Sequence, residues 1–106
     1  MRQATIYFKE LEAGILTEIL PGEKYSFQYF SNYEGEPVSQ TMPFPPYEYL
    51  FTGFPPFFEG LLPEGFQLEA LLMNRKIDRN DLFSQLIATG NDMVGAVTIR
   101  EIQGNE

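Results

Sequence analysis

The sequence contains no cysteine, no histidine and no tryptophan. Without cysteine there is neither a disulfide nor a thiol nucleophile. Without histidine the chain lacks the commonest general base and the commonest metal ligand. Serine or cysteine nucleophiles activated by histidine are therefore excluded, and no Walker motif or GxGxxG pattern is present. These absences predict a protein that is not an enzyme and that holds no cofactor or metal.

Carboxylates are the only abundant side chains with catalytic potential. Glu10 and Glu12 form one close pair, and Glu34 and Glu36 form another. Neither pair has a further partner at a defined spacing, so a solvated surface is the favoured interpretation of both. A hydrolase that uses carboxylates alone remains the weakest of the alternatives.

Positive charge is also scarce, because seven Lys and Arg face fifteen Asp and Glu, for a net charge of −8. Residues 1–69 hold ten of the acids and three of the bases, which is a net −7. Such a surface repels phosphate backbones, so we expect no direct binding of nucleic acid. No apolar run reaches the ~20 residues of a membrane helix, and no signal peptide opens the chain. We expect a cytoplasmic protein without membrane contact.

The length of 106 residues and the 43% hydrophobic content predict one domain over residues 1–106. Alternating apolar and polar residues predict strands, and a turn is expected at Glu12-Ala13-Gly14. A short further strand is expected at 36–42, limited by two prolines. The main predicted strands are 4–10, 15–20, 24–30 and 94–101.

Three helices are expected in the second half of the chain. The first begins near Pro55-Pro56 and reaches Leu62, the second covers 66–75, and the third covers 81–88 with Asp78 or Asn80 as its cap. The order of elements predicts an α+β domain, in which a small antiparallel sheet of four to five strands carries three helices on one face.

Residues 43–58 hold five of the eight prolines and seven aromatic residues. A flexible linker would be rich in glycine and serine and would lack these rings. We interpret the segment as an ordered connection whose rings pack on the domain. A proline-rich recognition segment is the alternative, although two adjacent prolines do not make a periodic ligand.

The helix predicted at 66–75 has two apolar faces. Its three leucines, Leu68, Leu71 and Leu72, share one face, whereas Phe66, Ala70 and Met73 share the opposite face. One alternative is that the first helix or the aromatic segment covers the second face. The other is a protein–protein interface with Phe66 as an aromatic anchor and Met73 as an adaptable contact. Glu64 and Glu69 would support that interface.

Four motifs in order resemble the N-terminal subdomain of HipA-type serine/threonine kinase toxins. They are residues 25–29 (YSFQY), 38–43 (VSQTMP), 57–65 (FFEGLLPEG) and 90–99 (GNDMVGAVTI). The resemblance runs from about residue 4 to residue 101. A HipA-type kinase continues with a phosphate loop, a catalytic aspartate and metal ligands, none of which stands in these 106 residues. The similarity is therefore to HipS, the family of free-standing counterparts of this subdomain in tripartite HipBST systems.

The resemblance implies an antitoxin that binds and inhibits a HipT-like kinase, in a complex with a HipB-like helix-turn-helix protein. Inhibition would follow from blocking the kinase cleft or from holding an inactive state. Phe66, Ala70 and Met73, backed by Glu64 and Glu69, are the residues expected at the contact. Two alternatives remain: a structural subunit that completes the kinase, and a bridge between the kinase and the HipB-like repressor.

Overall fold

A computed structural model describes residues 1–90 and 95–103. Its five antiparallel strands and three helices confirm the predicted α+β class. The strands are β1 (Arg2–Phe8), β2 (Leu11–Leu20), β3 (Lys24–Tyr29), β4 (Glu48–Thr52) and β5 (Val97–Glu101); the helices are α1 (Pro56–Glu59), α2 (Gly65–Arg75) and α3 (Leu82–Thr89).

The sheet has the order β4-β3-β2-β1-β5. The strands β1, β2 and β3 form the meander that the alternating sequence predicts, and β4 pairs with β3 at one edge. After the three helices, the chain returns so that β5 pairs with β1 at the other edge. The final strand begins at Val97, and residue 94 of the strand predicted at 94–101 lies outside the described residues.

The core lies between one face of the sheet and the helices. Strand side chains such as Ile6, Leu16 and Phe27 are fully buried, and so are Phe58 of α1 and Phe83 of α3. Each large apolar side chain that is fully removed from water contributes about 1.5–3 kcal/mol. The opposite face of the sheet carries side chains such as Ile15, which is half-buried, and Gln28, which is exposed, so alternation with a period of two separates the core from a more open surface.

The first hairpin turn does not lie at Glu12-Ala13-Gly14, as expected, but at Lys9 and Glu10. Both turn residues have positive φ, 51° and 71°. Two positive φ angles are typical of a tight hairpin turn, where glycine or asparagine is more usual. The expected turn residues lie instead within β2, where Ala13 is the extra residue of a bulge and is fully buried.

The prediction of a strand at 36–42 is also wrong. Residues 36–42 form no strand, and the fourth strand of the sheet is β4 instead. The Tyr29 hydroxyl donates to the Met42 carbonyl oxygen at 2.6 Å and accepts from the Val38 amide at 3.0 Å. These backbone groups are bound to a side chain rather than to a neighbouring strand. The segment 43–58 is ordered, as expected, and α1 begins within it at Pro56, close to the predicted start, but the segment also contains β4, which was not predicted.

The helix ends differ from the predicted ones. The first helix ends at Glu59, although Leu61 and Leu62 still pack on the core. The cap of α3 is Asp81, whose side chain accepts from the Ser84 amide at 3.1 Å. Asp78 instead accepts from the Asn80 amide at 2.8 Å and shapes the turn before the helix. Among residues 1–90 and 95–103, no helix is long and apolar enough to cross a membrane.

Candidate partner-binding surface

The helix α2 is bounded by two residues with left-handed backbone. Gly65, its first residue, has φ +61°, which glycine adopts without a steric penalty. Lys76 follows the helix with φ 56°, and the amides of Lys76 and Ile77 both donate to the Leu72 carbonyl. Paired bonds of this kind satisfy carbonyls at a helix end. Both ends of α2 are therefore fixed by sharp changes of chain direction.

One face of α2 packs on the domain. Leu68, Leu71 and Leu72 are half-buried, and α2 lies against α3. No residue of α2 is fully buried. The helix is consequently held at the periphery of the fold, by one apolar side only.

The opposite face of α2 is open. Phe66 is 95% exposed, Met73 is 77% exposed, and Ala70 between them is exposed as well. We call these three residues the α2 stripe. Neither α1 nor the aromatic segment covers it, since Phe57 and Phe58 pack on the core instead. Of the two sequence interpretations, coverage of this face by the first helix or by the aromatic segment is therefore wrong.

The two carboxylates expected beside the stripe, Glu64 and Glu69, differ in whether they are paired with a cation. Arg79 Nη2 donates to Glu69 Oε1 at 2.8 Å. This hydrogen bond, together with the positive charge of Arg79, holds the pKa of Glu69 below its ordinary value. Glu64 is exposed and forms no ion pair within the described part of the chain. Glu64 is thus a free negative charge at the start of α2, whereas Glu69 already has a cation.

The five residues expected at the contact comprise the exposed α2 stripe and two carboxylates of the same region of the chain. Every buried side-chain nitrogen and oxygen in residues 1–90 and 95–103 has a hydrogen-bond partner. The same residues contain no cluster of three or more acidic side chains placed to hold a metal ion. An exposed phenylalanine beside a flexible methionine is typical of the anchors that protein interfaces use. The contact role of all five residues stays a prediction.

Sequence reasoning missed a second group of exposed apolar side chains. Leu11 is 57% exposed, Tyr47 is 50% exposed and Leu50 is 71% exposed. Tyr47 lies in the aromatic segment that was expected to pack on the domain, and Leu11 follows a turn that was placed elsewhere. The alternation in β4 would have placed Leu50 on the outer face if the strand had been found.

Comparisons with known proteins agree with the fold. The family model of the HipA N-terminal domain matches residues 4–100. The chain is 33% identical over 88 residues to an uncharacterized protein of Haemophilus influenzae (strain Rd), a match that covers 83% of this chain and 81% of that protein. A solved structure described as the N-terminal domain of HipA toxin superposes with a TM-score of 0.78, at 24% identity, and covers 99% of this chain and 96% of that one.

The structural match shows a shared fold, and the family match covers most of the chain. The last motif of the sequence resemblance, 90–99, includes residues 91–94, which lie outside the described residues. The other three motifs are fully described, and they contribute β3, the buried Val38 and Met42, and α1. The resemblance found in the sequence is confirmed: the chain belongs to the HipA N-terminal domain family.

Proposed function

We propose that this domain is an antitoxin that binds and inhibits a HipT-like serine/threonine kinase in a tripartite toxin–antitoxin system. The observation that carries the proposal is the α2 stripe. A phenylalanine with 95% exposure costs solvation free energy in the isolated domain, and that cost is removed when a partner covers the ring. The domain would act through this surface and not as an enzyme.

The charge of the domain suits a kinase partner. A kinase cleft carries lysine and metal ions that hold the phosphates of ATP, so it attracts a negative surface. The domain has a net charge of −8, and Glu64 lies directly before α2. We propose that Phe66 enters the kinase surface, at the cleft or on the N-terminal lobe, with Ala70 and Met73 packing beside it and Glu64 and Glu69 at the rim.

Co-expression of the cognate kinase with variants of this domain tests the proposal. Phe66→Ala should lose protection from growth arrest, because truncating an aromatic anchor costs about 2–4 kcal/mol of binding free energy, or roughly 30-fold or more in Kd. Leu50→Ala is the matched control, since it removes another exposed apolar side chain from a different element. If Phe66→Ala protects as well as the wild type when both are expressed at equal levels, the proposed contact of Phe66 with the kinase is wrong.

A structural subunit of the kinase is the second candidate. It is favoured by the match to a domain described as part of the HipA toxin. A phosphorylation assay with purified kinase separates the two functions. An inhibitor lowers the rate as it is added, with saturation at the stoichiometry of the complex. A rate that rises on addition would contradict the antitoxin proposal and favour the subunit.

A bridge to a HipB-like helix-turn-helix protein is the third candidate. The charge of −8 favours contact with proteins over contact with DNA in such a complex. An electrophoretic mobility shift assay on operator DNA should show no shift with this domain alone, and a further shift when it is added to the repressor with the kinase. A shift by the domain alone would contradict this assignment.

A further inference from the structure

A second surface lies away from α2, around Phe30. A groove of about 490 Å³ is lined by Ile15, Gln28, Phe30 and Tyr47 among others. An adjoining groove of about 460 Å³ includes Leu11, Glu12, Phe30 and Glu34 in its lining. Phe30 borders both grooves, and we refer to the pair together as the Phe30 groove.

The lining of the Phe30 groove is mixed, with apolar side chains next to polar ones such as Gln28, Ser31 and Asn32. Phe30 and Ile15 are half-buried, so part of each side chain faces solvent. Tyr47 at one end is 50% exposed, and Leu11 at the other end is 57% exposed. Exposed apolar side chains that line one concave surface are a feature of binding sites more than of ordinary protein surface.

The rim of the Phe30 groove is negative. Glu12 and Glu34 line it, and Glu48 follows Tyr47 in the chain. All three are exposed, and none forms an ion pair with any residue in the ranges 1–90 and 95–103. The nearby Glu36, by contrast, is paired with Lys9 at 3.4 Å. A partly apolar lining with two unpaired carboxylates, and a third next to Tyr47 in the chain, is complementary to an apolar segment that carries positive charge.

The part of the Phe30 groove around Ile15 and Gln28 lies on the other side of the sheet from the α2 stripe. Ile15 and Gln28 alternate with the core residues of β2 and β3 and therefore belong to the face opposite the core. The helix α2 belongs to the layer of helices on the other face. A partner bound on α2 consequently leaves this part of the groove accessible.

We propose that the Phe30 groove is a second docking site, which takes a protein segment in which lysine or arginine alternates with leucine or phenylalanine. DNA and anionic membranes carry the wrong charge for this rim. A second copy of the domain is opposed by the repulsion between two bodies of charge −8. The domain would thereby hold two protein partners at once, and the second site does not depend on the identity of the first.

Nuclear magnetic resonance titration of the ¹⁵N-labelled domain tests this site. The probe is a synthetic heptapeptide in which lysine alternates with leucine and phenylalanine, and the matched control peptide has glutamate in place of each lysine. We expect amide shifts confined to residues 11–15, 28–35 and 47–48 with the basic peptide, and none with the acidic one. Raising ionic strength from about 0.05 to 0.5 M should weaken binding roughly 10-fold, because exposed charges are screened.

Variants of the rim sharpen the test. The double variant Glu12→Lys/Glu34→Lys should weaken binding of the basic peptide at least about 10-fold. The control Glu23→Lys/Glu101→Lys changes the net charge equally at sites away from the groove and should leave binding unchanged. Phe66→Ala should leave peptide binding unchanged, so loss of the first function is distinguishable from loss of the second. Absence of shifts, shifts centred on α2, or an equal response to the acidic peptide would each overturn the proposal. Dimerisation through the groove, seen by light scattering, would overturn it as well.

Discussion

The Arg2 guanidinium holds the Glu18 carboxylate at two points, with 2.7 Å from Nε to Oε1 and 2.9 Å from Nη2 to Oε2. Glu18 is only 4% exposed, so this pair supplies the charge that makes its burial tolerable. The same guanidinium reaches Asp81 Oδ1 at 2.9 Å and lies 4.9 Å from the centre of the Phe83 ring. One side chain of the first strand therefore joins β2 to the start of α3.

Arg2→Met should destabilise the domain by about 2 kcal/mol. Removing one partner of a buried pair costs 3–5 kcal/mol, and the value expected here is lower because the Arg2 side chain is 38% exposed and water can partly replace it. Urea denaturation followed by circular dichroism measures the change. Arg75→Met is the control, since Arg75 is exposed at the end of α2, and it should alter the free energy of unfolding by less than about 0.5 kcal/mol. Equal effects of the two variants would contradict the assigned role.

Stability should fall in acid as Asp81 becomes protonated. Burial raises the pKa of Asp81, but hydrogen bonds donated by Arg2 and Ser84 outweigh it and hold the pKa below 3.8. The unfolded chain thus binds a proton at higher pH than the folded one does. The contribution of Asp81 is fully present above about pH 5 and is lost as the pH falls through and below 3.8.

The difference in unfolding free energy between the wild type and Asp81→Asn isolates this contribution from the other carboxylates. Denaturation curves between pH 3 and pH 6 should show a difference that shrinks toward the acid end. In the Arg2→Met background the same difference should be smaller and should vary less with pH. A difference independent of pH in the wild-type background would show that the charge of Asp81 is not what stabilises α3.

Gly90→Ala and Gly60→Ala should differ sharply, although both glycines end a helix with right-handed φ, −59° and −65°. A methyl group at position 90 would lie well inside van der Waals contact of the Ile99 carbonyl oxygen. At position 60 the nearest atom is a carbonyl oxygen at 3.5 Å. Thermal denaturation should show a loss of about 1–3 kcal/mol for Gly90→Ala from overpacking, and a neutral or stabilising effect of up to about 1 kcal/mol for Gly60→Ala.

Phe66→Ala should leave stability nearly unchanged, within about 0.5 kcal/mol, because the ring is already in water. Phe58→Ala removes a ring that is fully buried and should cost about 3–5 kcal/mol. Chemical denaturation compares them directly. A large loss of stability in Phe66→Ala would mean that the Phe66 side chain packs on the domain. A loss of kinase inhibition in this variant would then follow from unfolding and not from a lost contact.

Much of the fold follows from local periodicity. Tyr25, Phe27 and Tyr29 alternate with polar residues, and all three are buried on one face of β3, as that pattern requires. The elements that could not be predicted depend on distant contacts. The segment 36–42 has the residue types of a strand, yet the hydroxyl of Tyr29 binds its backbone, and no local pattern contains that bond.

The predicted cap of α3 was wrong for a similar reason. Asp78, Asn80 and Asp81 are all suitable cap residues, and only the path of the chain decides which of them caps the helix. Arg2 could not be singled out from sequence either, since Glu18 and Asp81 come beside it only when β1 and β2 pair and α3 packs against them. The Phe30 groove likewise joins residues from β2, from β3 and the loop after it, and Tyr47, which directly precedes β4.

The sequence by itself determined the negative charge, the absence of histidine and cysteine chemistry, the meander, and the two apolar faces of the helix that became α2. Charge, composition and the spacing of apolar residues hold in any packing of the chain, and the meander follows from the pairing of strands that are neighbours in the sequence. Only the tertiary structure decided which face of α2 is covered: α2 lies against α3 with its leucines half-buried, whereas Phe66 is 95% exposed. Burial is a property of long-range neighbours, and so the fold decided which apolar face of the helix stays exposed.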